Sequence, residues 1–312
     1  MKQYLDMLQH ILYDCHDWRD NRTGISDIGD VGLTFKHDMA DGFPLVTTKK
    51  MGLKNIATEL EFFIKGYTDK KWLQDRKCNI WKQWARPSKV EEKYNIELAK
   101  LENPSEADKK QLHNEIADNE RDLGPIYGFQ WRHFNGEYRW NPDNPADNFN
   151  PDKPGVDQMQ NVVDKLHTNP TDRRMLVSAW NPVAMSDMAL PPCHFEHQVI
   201  VRDGCVSLTW NQRSCDMFLG VPYNIASYAL LLLLYAKEGG YKPGKLIGNL
   251  TDAHIYKNHV IPVMQQLKRE PYPLPTVEIP DENWNGIFNW KATDFVLKNY
   301  VCHEKLTAEV AR

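Results

Sequence analysis

No stretch of this sequence is apolar for long enough to span a membrane. The most apolar run, Ile225 to Ala236, covers about a dozen residues, and a spanning helix needs roughly 20. A buried core helix opened by Pro222 is the expected form. A surplus of positive charge is also missing. The net charge of −4 excludes a general basic field for nucleic acid or an acidic membrane surface. Cysteine is sparse: six residues, at 15, 78, 193, 205, 215 and 302, with no CxxC pair. That argues against a disulfide framework and fits a reduced, cytoplasmic protein. The N-terminal stretch lacks the apolar core and cleavage site of a signal peptide. Its Leu5, Leu8, Ile11 and Leu12 fit one face of an amphipathic helix instead. No internal repeat is visible.

What the chain does have is a hydrophobic share of 41% with 26% charged residues, the balance of a soluble globular protein. Its 312 residues are ample for a large core and are read as one domain, 1–312. The segment 86–121 departs in composition, being heavily charged with few large apolar side chains. It is expected to be a surface insertion of short helices, with Ser105 and Asp108 marking a helix start.

Hydrophobic spacing predicts a helix over Gly52 to Lys65. Ile56, Leu60, Phe63 and Ile64 form its stripe, and Glu59 projects toward that stripe. A carboxylate there costs several kcal/mol unless protonated or hydrogen-bonded. Glu61, about 200° around the helix, is expected on a wet face, paired with Lys65. Met175 to Trp180 reads as a strand. Phe195 to Val201 and Val206 to Asn211 read as a hairpin around an Asp203-Gly204 turn. These elements give a mixed α/β or α+β class and leave strand order open.

The stretch PPCHFEH (191–197) places Cys193, His194, Glu196 and His197 close together. In a regular strand His194 and His197 point to opposite faces, so a metal cage would need a bulge, and no second ligand pair has zinc-like spacing. Cys193 is therefore either a small buried thiol or a nucleophile. The second reading needs a nearby cation, because a free thiol has a pKa of about 8.5. Arg213 in NQRSCD, Arg173 and Arg174 in DRR, and Arg22 in DNRTG are the candidates. Together with Ser214 they could also surround a phosphate, which arginine binds bidentately.

Taken together, DNRTG (20–24), GFPLVTTKK (42–50), TELEFFIKG (58–66), DLGPIYGFQWR (122–132), DRRMLVSAWNP (172–182), MALPPCH (188–194), QRSCDMFLGVPYNIASYALL (212–231) and DAHIYKNH (252–259) resemble the thymidylate synthase family over nearly the whole chain. The resemblance implies a large curved mixed β-sheet with flanking helices, packing at a homodimer interface. It implies one-carbon transfer from 5,10-methylenetetrahydrofolate to C5 of dUMP, with folate as co-substrate and no metal. By motif, Cys193 would be the nucleophile, with His194 a helper or structural neighbour. Arg213, Arg22 and Ser214 would bind the phosphate, and Arg173 and Arg174 would reach it from the other subunit. Asn224 would read uracil O4 and N3–H. His254 and Tyr256 would hold the 3′-hydroxyl. Glu59 would assist proton transfer at O4, and Tyr127 would help remove the C5 proton. Asp216 would anchor the pterin. Ile80, Trp81, Trp84, Gly220 and Tyr223 would line the folate side, and Lys49 would meet its glutamate tail.

The sequence departs from the family pattern at Glu61, Lys82, Glu196, His197 and the C-terminal Arg312, each more polar than the usual residue. A wetter pocket would favour water over hydride in the last step. Two outcomes follow from the resemblance: dTMP with dihydrofolate, or 5-hydroxymethyl-dUMP with tetrahydrofolate, as a dUMP hydroxymethylase would give. The first is preferred. A non-catalytic RNA-binding regulator on the same fold is the remaining class, opposed by the intact Cys193, Arg213, Asn224 and Glu59 set and by the net negative charge.

Overall fold

A computed structural model of the chain describes residues 1–282 and 284–311. The expectation placed on Arg312 therefore lies outside the described residues. In chain order the main elements are α1 (Lys2–Asp14), β1 (Trp18–Arg19), β2 (Asp27–Asp38), α2 (Leu53–Ile64), α3 (Lys70–Asp75), α4 (Pro87–Leu98), α5 (Glu106–Asn119), α6 (Tyr127–His133), α7 (Gln158–Thr168), β3 (Leu176–Ser178), β4 (His194–Arg202), β5 (Cys205–Gln212), β6 (Cys215–Asp216), α8 (Gly220–Gly239), β7 (Lys242–Tyr256), α9 (Val260–Leu267), β8 (Thr276–Glu278) and β9 (Val296–Lys298). They form two compact units. One comprises 1–57, 162–176 and 193 onward, and the other 58–161 and 177–192.

The first unit is built on a mixed sheet. Its strands run β1-β2-β7-β5-β4, and β6 also pairs with β7. β2 lies antiparallel to β7, whereas β5 and β6 lie parallel to it. The hairpin is formed as expected: β4 and β5 pair antiparallel and close at Arg202 opposite Cys205. Asp203 and Gly204 both take positive φ, 50° and 70°, the backbone a two-residue turn of this hand requires.

The helix α8 packs on this sheet. It is buried along most of its length, through Val221, Ile225, Ala229, Leu232 and Tyr235 among others. It begins at Gly220, two residues earlier than expected, and Pro222 sits in the first turn, where a missing N–H costs nothing. It stops at Gly240, whose left-handed φ of 73° lets its N–H close on the carbonyls of Ala236 and Lys237. No described helix is long and apolar enough to cross a membrane. Where α8 meets the sheet, the Trp210 ring stacks on Tyr228, with centroids 5.2 Å apart and planes 13° apart. The Trp210 ring also covers Gly248 of β7, where an added Cβ would lie 2.3 Å from the indole, so this crossing point has no room for a side chain.

In α1 the buried stripe is Tyr4, Leu8 and Ile11. Leu8 and Ile11 of the expected face are buried, but Leu5 and Leu12 are only half-buried, so the stripe is rotated toward Tyr4. Tyr4 stays inside because its hydroxyl donates to the Met217 carbonyl at 2.7 Å.

In the second unit, Phe63 of α2 stacks on Tyr127 of α6 at 5.0 Å and meets Trp131 edge-on at 5.7 Å. The charged insertion forms the helices α4 and α5, as composition implied. Ser105 Oγ accepts from the Asp108 N–H at 3.2 Å and the Asp108 carboxylate accepts from the Ser105 N–H at 2.9 Å, a reciprocal capping box. A small apolar cluster, Ala85, Val90 and Ala117 with Ile116 beside it, helps to fix these helices.

The wet face expected for Glu61 is buried. Glu61 is 5% exposed and meets Lys65 Nζ at 2.5 Å. Leu60, Phe62, Phe63 and Ile64 around it are buried too, so the face that carries Glu61 is covered. The ammonium of Lys65 offsets the cost of enclosing the carboxylate.

Candidate active site

The hairpin register brings a thiol and an arginine together within the first unit. His194 lies opposite Gln212, and one step further the Arg213 N–H donates to the Cys193 carbonyl at 2.8 Å. The Asp-Gly turn thus brings MALPPCH and QRSCD together, with the thiol residue and the arginine as cross-strand neighbours. Both are half-buried, as is Ser214.

A register shift falls between His194 and Glu196, and it overturns the strand geometry expected for the two histidines. Both rings face α8: His194 Nδ1 lies 2.9 Å from the Tyr228 hydroxyl, and His197 Nε2 lies 3.2 Å from the Tyr235 hydroxyl. An extra residue in one strand reverses the alternation downstream. Burial pushes both imidazoles down to about 3, so both are neutral at physiological pH. His194 is a neutral neighbour of Cys193 held by Tyr228. Glu196 instead faces its strand partner, accepting from Asn211 Nδ2 at 3.3 Å.

Asn224, on the first turns of α8, accepts from Gln212 Nε2 at 3.1 Å. That contact fixes the amide's orientation, while its oxygen keeps a second lone pair and its nitrogen carries two donors. Gly220 opens the same helix, and Tyr223 is half-buried beside Asn224 in sequence.

Asp216 of β6 lies opposite His254 of β7 and accepts from the N–H groups of Phe218 and Leu219 at 3.0 and 3.1 Å. Burial pushes its carboxyl up, but the His259 contact and the Leu219 N–H outweigh this and hold it below the usual range. His254 and Tyr256 alternate onto one side of β7, with rings 4.9 Å apart. The Tyr256 hydroxyl is pushed up to about 12, first by burial, then by Asp216 and Asp27; Arg22 opposes the shift and Cys193 adds to it.

Arg22 is exposed on its turn, and Arg173 and Arg174 are exposed ahead of β3. Arg174 is engaged by Asp172 at 2.9 and 3.0 Å. Lys49 is not the open cation expected of a glutamate-tail contact. It is 4% exposed, donates to the Phe218 carbonyl, and lies 3.7 Å from the Phe218 ring centre. Burial lowers its ammonium to about 7.

In the second unit, Glu59 is half-buried, and its carboxyl pKa is raised from 4.5 to about 7 by burial, against the opposing effect of a 2.7 Å hydrogen bond from Trp81 Nε1. Tyr127 is 2% exposed, between Phe63 and the edge of Trp81 at 5.9 Å. Trp81 is itself enclosed, so the apolar surface offered by this segment comes from the half-buried Ile80 and Trp84. Lys82 is exposed and reaches Asp118 at 3.6 Å.

One cluster was not legible in the sequence. His10, Cys15 and Asp30 bring potential metal-donor atoms within 4.8 Å of one another. Both ring nitrogens of His10 already face carboxylates, Asp14 at 3.0 Å and Asp30 at 2.7 Å, which accounts for the grouping as an ion-pair cluster.

Residues 2–312 match the family model for thymidylate synthase. The chain belongs to the thymidylate synthase family. It is 40% identical over 312 residues, the full length of both chains, to the thymidylate synthase of Mycoplasma pneumoniae. An end-to-end match leaves the segment 86–121 inside the family's length. It also favours thymidylate synthase over the hydroxymethylase alternative that the polar departures had kept open.

Proposed function

We propose that this thymidylate synthase family member converts dUMP to dTMP by reductive methylation. The observation that carries this reading is Cys193, in the family's motif, locked across the hairpin from Arg213. In this reading the Cys193 sulfur bonds to C6 of the uracil, and the C5=C6 pair moves onto C5 and O4. C5 then bonds to the one-carbon unit, the C5 proton departs with help from Tyr127, the carbon's bonds to the folate nitrogens break, and hydride arriving on that carbon makes the methyl group while C5=C6 re-forms and the thiolate leaves C6. Bound 5,10-methylenetetrahydrofolate supplies both the methylene and the hydride. Glu59, with a proton affinity balanced near neutrality, exchanges a proton with O4; general acid–base groups work best when poised near the operating pH. Asn224 presents an acceptor and a donor, the pattern that uracil O4 and N3–H require.

The residues present fit the folate. Ile80 and Trp84 give it an apolar surface, the Asp216 carboxylate suits the pterin's N–H groups, and Gly220 and Tyr223 flank the start of α8. Lys49 would have to leave its carbonyl to meet a glutamate tail. Arg22, Arg213 and Ser214 bind the nucleotide phosphate, Arg173 and Arg174 complete that site across a homodimer, and His254 and Tyr256 take the 3′-hydroxyl. The assembly works in the cytoplasm without metal or nucleic acid, as one catalytic domain.

The test is Cys193→Ala. It should bind dUMP with near-normal affinity and form no covalent ternary complex with 5-fluoro-dUMP and folate. A stable adduct in that variant, seen by mass spectrometry, would remove Cys193 from the role.

A further inference from the structure

The insertion 86–121 has no part in the reaction as assigned above, yet a buried ammonium connects it to the residues that do. Lys70, at the start of α3, is 1% exposed. Its Nζ donates to the carbonyls of Lys82 at 2.8 Å, Trp84 at 3.0 Å and Ala117. An ammonium has three donors, and here three carbonyls take them. Ala117 belongs to the last turn of α5, where carbonyls lack helical partners and carry the negative end of the helix dipole. The other two carbonyls belong to Lys82, the residue after Trp81, and to Trp84 itself. The same corner is pinned again by the Lys70 N–H on the Arg121 carbonyl at 3.1 Å and the Arg86 N–H on the Asp122 carbonyl at 2.7 Å. Lys82 and Asp118 add a surface ion pair.

We propose that Lys70 is a positioning residue: it fastens the Trp81–Trp84 segment to the end of α5, so that the charged insertion braces the indole that holds Glu59. The inference rests on the role given to Glu59 above. Trp81 leaves little slack. Its N–H is on Glu59, and its ring meets Phe63 at 6.2 Å, Trp84 at 6.0 Å and Tyr127 at 5.9 Å. A segment that shifts by an ångström lengthens the 2.7 Å bond past useful range. A second consequence is electrostatic. The Trp81 N–H restrains the rise in Glu59's pKa, and Glu59 in turn helps to raise the Cys78 thiol. With Trp81 withdrawn, Glu59 should hold its proton to higher pH.

Lys70→Met keeps the length of the stem and removes every donor. It is expected to lower kcat at least tenfold, move the inflection of the kcat–pH profile that belongs to Glu59 to higher pH, and leave dUMP affinity within twofold. Lys70→Arg, which restores donors, is expected to return the inflection toward its parent position. A Lys70→Met enzyme with parental kcat and an unmoved inflection overturns the proposal. Hydrogen exchange on the unaltered protein gives a readout independent of activity and of the variants' folding. Amides of 79–86 and of the last turn of α5 are expected to open as one cooperative unit in low denaturant, and independent opening overturns the brace. If Glu59→Gln turns over at the parental rate, the role of Glu59 fails, while the exchange result still decides the brace.

Discussion

Replacing Glu59 by glutamine tests the energetics of this half-buried carboxyl directly. Burial raises its pKa from 4.5 to about 7, so between those values the folded protein holds a proton that the unfolded chain has released. Stability falls with rising pH wherever the folded state binds more protons. The contribution of Glu59 is thus most favourable below about pH 4.5 and is lost as pH rises through 7. At about 1.36 kcal/mol per pKa unit, the full swing is up to about 3 kcal/mol. Glutamine has no proton to lose, and its carbonyl can still accept from Trp81. Equilibrium urea denaturation of both proteins at fixed concentration, at pH 4.5 and pH 8, isolates the effect, since every other titrating group is shared. The variant should gain about 3 kcal/mol on the parent between the two conditions, while losing about 10²–10⁴-fold in turnover. Equal parent–variant differences at both pH values would refute the argument from burial.

Two further outcomes follow from the assigned roles. Asn224→Asp, which when protonated offers the pattern cytosine needs, should raise the ratio of dCMP to dUMP turnover strongly, and an unchanged ratio in steady-state assays would place base recognition elsewhere. Mixing inactive Cys193→Ala subunits with inactive Arg173→Ala/Arg174→Ala subunits should restore activity, with about one intact site per mixed dimer; no recovery after verified subunit exchange would count against a shared phosphate site.

The parts of this structure that were legible in sequence are those written in local patterns. The Asp203-Gly204 turn fixed a hairpin, Ser105 and Asp108 announced a capping box, and the apolar run 225–236 marked the core of α8. What escaped depends on partners distant in the chain. The parallel pairing of β5 with β7 has no local signature, because a crossover through α8 separates the strands. The register shift after His194 inverted an alternation that the residue types alone gave no reason to doubt. Glu61 looked like half of a surface pair because Lys65 follows at i+4, and only the packing around α2 shows the pair to be enclosed. The candidate site residues were proposed from family motifs rather than spacing: Asp216 and Tyr256 have no distinctive local context. Lys70 was missed because a lone lysine at a helix start reads as solvated, and the three carbonyls that enclose its ammonium come from 82, 84 and 117.

The central claim is that the one-carbon unit leaves as a methyl group, and the nucleotide product measures it. With dUMP and 5,10-methylenetetrahydrofolate, dTMP identified by mass should accumulate one for one with the rise in dihydrofolate absorbance. A difference of 1.4 kcal/mol between the competing barriers gives a tenfold product ratio, so a small hydroxymethyl fraction is compatible with the polar residues Glu196, His197 and Lys82. 5-Hydroxymethyl-dUMP as the sole product, with dihydrofolate flat, would contradict the account.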